Sequence, residues 1–188
     1  NTQDENHEDA TKLATLLDKL YNFPHPTVAL VQGPAFGGAI GLICCCDIAL
    51  ATTNSYFAFS ETKLGIIPAV ISPYVVQSIG ARSAKRLFLT AEQFSAEEAL
   101  SLGIITQLCA DTESLKKSCS DTNEQLLRNG PYALNQVKSL IKQVSSTPIN
   151  NDLISYTVNT ITEIRSGKEA REGLSAFLEK RPVNWLNG

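Results

Sequence analysis

Two short stretches of this chain have residue types and spacing suited to chemistry. Gly37-Gly38 lies between an apolar, β-branched run, Thr27–Val31, and a second apolar run, Ala39–Cys46. A helix opening at that point leaves its first N–H groups without intrahelical acceptors, and its dipole adds partial positive charge at the same end. Neither glycine has a β-carbon, so a ligand oxygen can approach the backbone closely, and an oxyanion site made only of main chain fits. The same glycines also suit plain tight packing of a strand against a helix. Glu61 is the second candidate. It follows Tyr56-Phe57-Ala58-Phe59 and precedes Leu64-Gly65-Ile66-Ile67. Apolar surroundings favour the protonated form of a carboxyl and suit it to proton transfer near neutral pH. An exposed loop glutamate, or a partner for Lys63, is the other reading.

Other machinery finds little support. The 188 residues contain 2 histidines, His7 in a polar stretch and His25 between prolines, which argues against a histidine metal centre or triad. There is no G-x-S-x-G elbow, no G-x-x-x-x-G-K-[ST] loop and no paired C-x-x-C. No metal is expected. Sixteen Lys and Arg stand against 19 Asp and Glu, a formal charge of −3, which is no footprint for nucleic acid or an anionic membrane surface. The most apolar stretch, Ala39–Ala51, is interrupted by Asp47 and is too short to span a bilayer. No charged-then-apolar leader opens the chain. The 5 cysteines, three of them consecutive at Cys44, Cys45 and Cys46, point on a helix in directions about 100° apart. They fit small buried hydrophobes in a reducing, cytoplasmic setting.

The elements that position these residues follow from periodicity. With 43% apolar residues the chain can bury a sizeable core. Residues 1–8 are polar and expected to fray, and Leu13, Leu16, Leu17 and Leu20 give one apolar stripe to a helix over 9–20. Strands are expected at 27–31 (covered on both faces), 48–52, around 56–59 and at 104–108. The segment 33–38 is expected to be a tight turn. A helix spans 39–46, a pair of helices broken at Gly80 spans about 73–89, and Ser95 with Glu98 forms a capping box for a helix ending at Gly103. Three helical stretches follow, 111–128, 131–145 and 150–180, the last interrupted near Gly167. Apolar strands alternating with helices argue for an α/β architecture with partly parallel strands. Residues 1–110 form the core and 111–188 a helical region of the same domain.

Three segments in order resemble the signature of the enoyl-CoA hydratase/isomerase (crotonase) superfamily: Val28–Ala39, Cys46-Asp47-Ile48-Ala49 and Phe59–Pro68. Further matches are Ser95–Ala99, Leu102–Ile105 and Glu172-Gly173 through Ala176–Arg181 to Trp185, so the resemblance runs from about residue 9 to 185. It implies a ββα spiral core with a C-terminal helical trimerisation region, assembled as a homotrimer or a dimer of trimers. The implied substrates are acyl thioesters of coenzyme A, with no separate cofactor. Gly38 is implied as one of two backbone donors to the thioester enolate, and Glu61 as a general acid/base. Phe36, Gly37 and Pro68 are implied to bind substrate, and Phe177 and Lys180 to contact the adenosine end of CoA.

The match departs from the pattern in three places. The second hydratase glutamate falls at Gly41. Pro68–Pro73 replaces a glycine-rich segment, and together with Gly41 it resembles methylglutaconyl-CoA and isohexenylglutaconyl-CoA hydratases. The family also carries a longer N-terminal part with the second oxyanion donor, and the absence of methionine agrees with a lost segment. The expectation is therefore an enoyl-CoA hydratase, with the Tyr74 to Val76 region bordering the acyl group. The alternatives are a Δ3,Δ2-enoyl-CoA isomerase using one glutamate, and a truncated, non-catalytic acyl-CoA-binding or assembly paralogue.

Overall fold

The computed structural model describes residues 2–186. The chain forms two compact units that divide between Asp121 and Thr122.

The first unit opens with α1 (Gln3–Tyr21). Its start lies earlier than the apolar stripe predicts because Thr2 and Glu5 form a capping box: Thr2 N–H donates to Glu5 Oε2 (2.8 Å), and Glu5 N–H donates to Thr2 Oγ1 (3.2 Å). The polar residues 3–8 are held in the helix by this cap, and Leu17 alone of α1 is fully buried. Then come β1 (Val28–Val31), β2 (Pro34–Phe36), α2 (Gly38–Cys45), β3 (Ile48–Thr52) and β4 (Tyr56–Ala58). A 3₁₀ turn at Glu61–Leu64 leads to α3 (Ser72–Thr90), β5 (Gln93–Ser95), α4 (Ala96–Leu102) and β6 (Gln107–Cys109). Helix α5 (Thr112–Leu127) straddles the division between the units.

The strands form two three-stranded sheets, ordered β1-β3-β6 and β2-β4-β5. All pairings are parallel except β4 with β5. Several expectations change here. The stretch 33–38 is not only a turn, since Pro34–Phe36 pairs with Tyr56–Ala58 as an edge strand, a place that tolerates proline. Strand β1 is not covered on both faces, because it lies at a sheet edge with Leu30 42% exposed. The last strand sits at Gln107–Cys109; Ile104 and Ile105 are buried in the preceding turn, where Ile104 N–H donates to Ala99 O. Gly80, at φ 73° and ψ 158°, breaks α3 into two helical stretches, as the sequence predicts. Ser95 Oγ caps α4 by accepting from Glu98 N–H, but the Glu98 carboxylate pairs with Arg86 instead of closing the box.

The core of this unit gathers Leu17, Ile40, Phe57, Phe59, Ile71, Val75, Leu87 and Phe94. Phe59 packs edge-on against Phe88 (ring centroids 4.8 Å apart) and stacks on Phe94 (6.1 Å), and Phe94 also stacks on Phe57 (5.6 Å). These separations suit favourable aromatic geometry.

The second unit contains the end of α5, then α6 (Pro131–Ser146), α7 (Asn151–Ser166), α8 (Lys168–Glu179) and a 3₁₀ turn at Asn184–Leu186. The break at Gly167 falls where the sequence predicts it. The Glu169 carboxylate caps α6 by accepting from the N–H groups of Tyr132 (2.9 Å) and Ala133 (2.8 Å). Arg181 grips Glu172 through two hydrogen bonds (2.6 and 3.0 Å), and Asn184 N–H adds a third (2.9 Å). Trp185 Nε1–H donates to Arg128 O at 3.2 Å.

Candidate active site

The topology of the second sheet brings the two candidate stretches together. Strands β2 and β4 run parallel with Phe36 opposite Ala58, so both chains leave the sheet at the same end. One residue beyond β2 comes Gly37, whose N–H donates to Ala58 O at 3.0 Å. Three residues beyond β4 comes Glu61, at the start of the 3₁₀ turn. The carboxyl ends of strands in open α/β sheets are the usual place for ligands.

Gly37 is the N-cap of α2, with φ 49° and ψ −116°, a conformation that glycine reaches without a Cβ penalty. A Cβ at this position would lie 2.6 Å from Glu61 Oε1 and 3.2 Å from its Cδ. The carboxyl of Glu61 therefore rests on the bare Cα of Gly37. Ile40 and Gly41 both donate to Gly37 O (2.9 and 3.3 Å), which leaves the N–H groups of Gly38 and Ala39 without an acceptor among the described residues. A Cβ at Gly38 would meet nothing within 4 Å, so its backbone faces open space.

Glu61 is half-buried, and its Oε2 is buried without a hydrogen-bond partner among the described residues. It makes no ion pair with Lys63 among those residues. Several other carboxylates of this unit are engaged elsewhere: Asp47 accepts from Thr27 N–H and Oγ1–H, Asp111 from Ser114 N–H, and Glu92 and Glu98 pair with Arg86. A buried, unsatisfied acid beside unsatisfied backbone donors is a costly arrangement with a ready use. It can take up and release a proton next to an oxygen that gathers negative charge.

The other candidate residues lie in different surroundings. Phe36 is 45% exposed on β2 with its ring 5.7 Å from that of Tyr56, and Pro68 is buried in the loop after the 3₁₀ turn. Phe177 (80% exposed) and Lys180 stand at the end of α8 in the second unit. Of the Tyr74 to Val76 region, Val75 is fully buried in the core, Tyr74 is half-buried and packs on Tyr21 (5.2 Å), and Val76 is exposed. Burial pushes the Cys44 thiol up to about 11 and the Cys45 thiol to about 12, which makes both poor nucleophiles.

Sequence reasoning missed one site residue. A side chain at Gly41 would run into the Ile71 Cγ2 methyl and stand 2.8 Å from its Cβ, with Leu17 Cδ2 at 3.6 Å. The place where the family resemblance puts a second glutamate is thus filled by hydrocarbon. A glycine inside an apolar helix was the only trace of this packing in the sequence.

Known proteins share the sequence pattern and the fold. An enoyl-CoA hydratase from Shewanella pealeana superposes with a TM-score of 0.94 at 44% identity, over 98% of this chain and 69% of that one. An enoyl-CoA isomerase/hydratase of Mycosarcoma maydis is 33% identical over 171 residues, 90% of this chain and 62% of the relative. The mitochondrial methylglutaconyl-CoA hydratase of Mus musculus is 30% identical over 185 residues, 93% of this chain and 57% of the relative. The chain thus spans 57–69% of the length of these three proteins. The family model described as enoyl-CoA hydratase/isomerase matches residues 1–188, and the chain belongs to the enoyl-CoA hydratase/isomerase family.

Proposed function

We propose that the chain adds water across the 2,3-double bond of an acyl-CoA thioester, with Glu61 as the acid/base and Gly38 N–H as a donor to the enolate. The observation that carries this reading is the Glu61 carboxyl, with its buried and unpartnered Oε2, resting on Gly37 beside the unpaired amide of Gly38. The Glu61 carboxylate takes a proton from water as the oxygen bonds to C3. The π electrons move to the thioester oxygen, which Gly38 N–H stabilises. The enolate then collapses, and C2 receives the proton from Glu61. One backbone donor of this kind contributes about 10²–10³ in rate.

Phe36, Gly37 and Pro68 complete the acyl end in this reading, and Phe177 and Lys180 of a neighbouring copy contact the adenosine end of CoA. The exposed apolar face of α8, with Leu174, Phe177 and Leu178, supports assembly as a homotrimer or a dimer of trimers. The five cysteines carry thiols rather than disulfides, in keeping with a reducing, cytoplasmic compartment. No helix among the described residues is long and apolar enough to cross a membrane.

A second reading has its own observation. With Ile71 in the place of a second acid, a single carboxylate suffices for moving a proton between C2 and C4, which is the Δ3,Δ2-isomerase reaction. Separate incubations with 2-enoyl and 3-enoyl thioesters decide between them. A 3-hydroxyacyl product from the 2-enoyl substrate supports the hydratase. Interconversion of the two without hydroxylated product supports the isomerase, and binding without turnover supports a non-catalytic acyl-CoA protein.

A further inference from the structure

We infer that Ile71 is a positioning residue for Glu61, clamping the far end of the loop that carries the acid onto the bare Cα of Gly41. The inference rests on the reading of Glu61 as the acid/base. Gly37 and Gly41 lie four residues apart at the start of α2, about one helical turn. The side-chain space of the first is taken by the Glu61 carboxyl, and that of the second by Ile71. The segment 61–71 is therefore pinned at both ends to one helix.

Little else holds it. Of residues 63–70 Pro68 is buried and Val70 is half-buried against the core, while Leu64, Ile66 and Ile67 are 73%, 57% and 72% exposed. The internal hydrogen bonds, Ile66 N–H to Glu61 O (3.1 Å) and Ala69 N–H to Ile67 O (2.8 Å), shape the loop without attaching it to the core. Thr62 Oγ1–H donates to Phe88 O (2.9 Å) and ties the near end to α3. At the far end Ile71, 2% exposed, is the N-cap residue of α3 and lies among Gly41, Leu17 and the rest of the core. Glycine weakens a helix interior relative to alanine. At Gly41 it admits a side chain onto the helix backbone, so Gly41 and Ile71 act as one lock.

The test uses the full chain and but-2-enoyl-CoA, with Ile71→Ala, Ile71→Val, Gly41→Ala, the Gly41→Ala/Ile71→Ala double variant, and Glu61→Gln as reference. A catalytic group displaced by a fraction of an ångström loses about 10- to 100-fold in kcat. That loss is expected for Ile71→Ala with KM little changed, while Ile71→Val keeps most of the rate. Gly41→Ala is expected to cost more alone than in the Ile71→Ala background, since the methyl then enters emptied space. Hydrogen exchange gives a readout independent of turnover. In Ile71→Ala the Gly65 and Ile66 amides should lose protection while those of Ile40 and Gly41 keep theirs.

Wild-type kcat together with unchanged exchange at Gly65 and Ile66 overturns the inference. So does a uniform loss of protection with Gly41→Ala equally costly in both backgrounds, which marks Ile71 as ordinary core. A Glu61→Gln variant with the wild-type rate instead overturns the reading of Glu61, and the exchange pattern still judges the clamp.

Discussion

The Glu61 carboxyl lies on the Cα of Gly37, so close that a β-carbon there would stand 2.6 Å from Oε1. The two residues come from different strands and meet because β2 and β4 are parallel and end side by side. The contact sets the acid next to the opening of α2, where the Gly38 amide has no acceptor among the described residues.

Gly37→Ala should displace that carboxyl and strain a backbone at φ 49°. The expected outcome is a fall in kcat of about 10²-fold, the usual consequence of misplacing a reacting group. It is checked by steady-state hydration of but-2-enoyl-CoA alongside a circular-dichroism spectrum that shows the fold retained.

Glu61→Gln should lower kcat by about 10²–10⁴, the usual share of acid–base catalysis, and leave the melting temperature unchanged or raised. Stability survives because Oε2 has no hydrogen-bond partner to lose among the described residues. A variant that hydrates the thioester at nearly the parent rate removes Glu61 from the mechanism.

Gly41→Glu should not supply a second acid. The new side chain meets Ile71 and Leu17 in a packed core, and overpacking costs about 1–3 kcal/mol. Chemical denaturation should show the loss, and the hydration rate should not rise. A faster, equally stable variant would mean that the space opens readily.

The Arg181 guanidinium, donating to both oxygens of Glu172, holds that carboxyl below the usual carboxylate range, with Asn184 N–H assisting. A depressed carboxyl stabilises the fold above its unfolded value and loses that contribution as pH falls through the folded one. Glu172→Gln should therefore melt lower than the parent at pH 7, with the difference closing below about pH 4. Thermal melts of both proteins across that range check it.

Burial raises the Cys44 and Cys45 thiols to about 11 and about 12 from an ordinary 9.0, so both stay neutral in the folded chain at pH 8. The thiolate fraction of Cys44 is then about 100-fold below that of an open thiol, and alkylation should be slow until the protein unfolds. The sign of the stability effect follows: the contribution is whole below pH 9 and fades as pH rises toward 12. Mass spectrometry after timed alkylation, with and without denaturant, measures the first effect, and alkaline melts the second.

The sequence alone singled out Gly37, Gly38 and Glu61 as candidates, because a glycine pair at a strand-to-helix turn and a lone acid among apolar residues are local signals, and the structure sets the Glu61 carboxyl against Gly37. It also placed the C-terminal helices, whose periodic apolar positions end at Gly130 and Gly167. Most of what it missed depends on contacts between distant residues. Pro34-Ala35-Phe36 has no strand periodicity and becomes β2 only by pairing with Tyr56–Ala58. The early start of α1 rests on two polar side chains, Thr2 and Glu5. The seating of Ile71 on Gly41 joins residues thirty positions apart, and neither type announces the other.

Phe59, two residues before Glu61, is fully buried between the rings of Phe88 and Phe94. The segment approaching the acid is thus as rigid as the interior it belongs to, so any loosening of the acid comes from the exposed loop on its other side. On heating, turnover should be gone by the time the near-ultraviolet signal of those buried rings is lost.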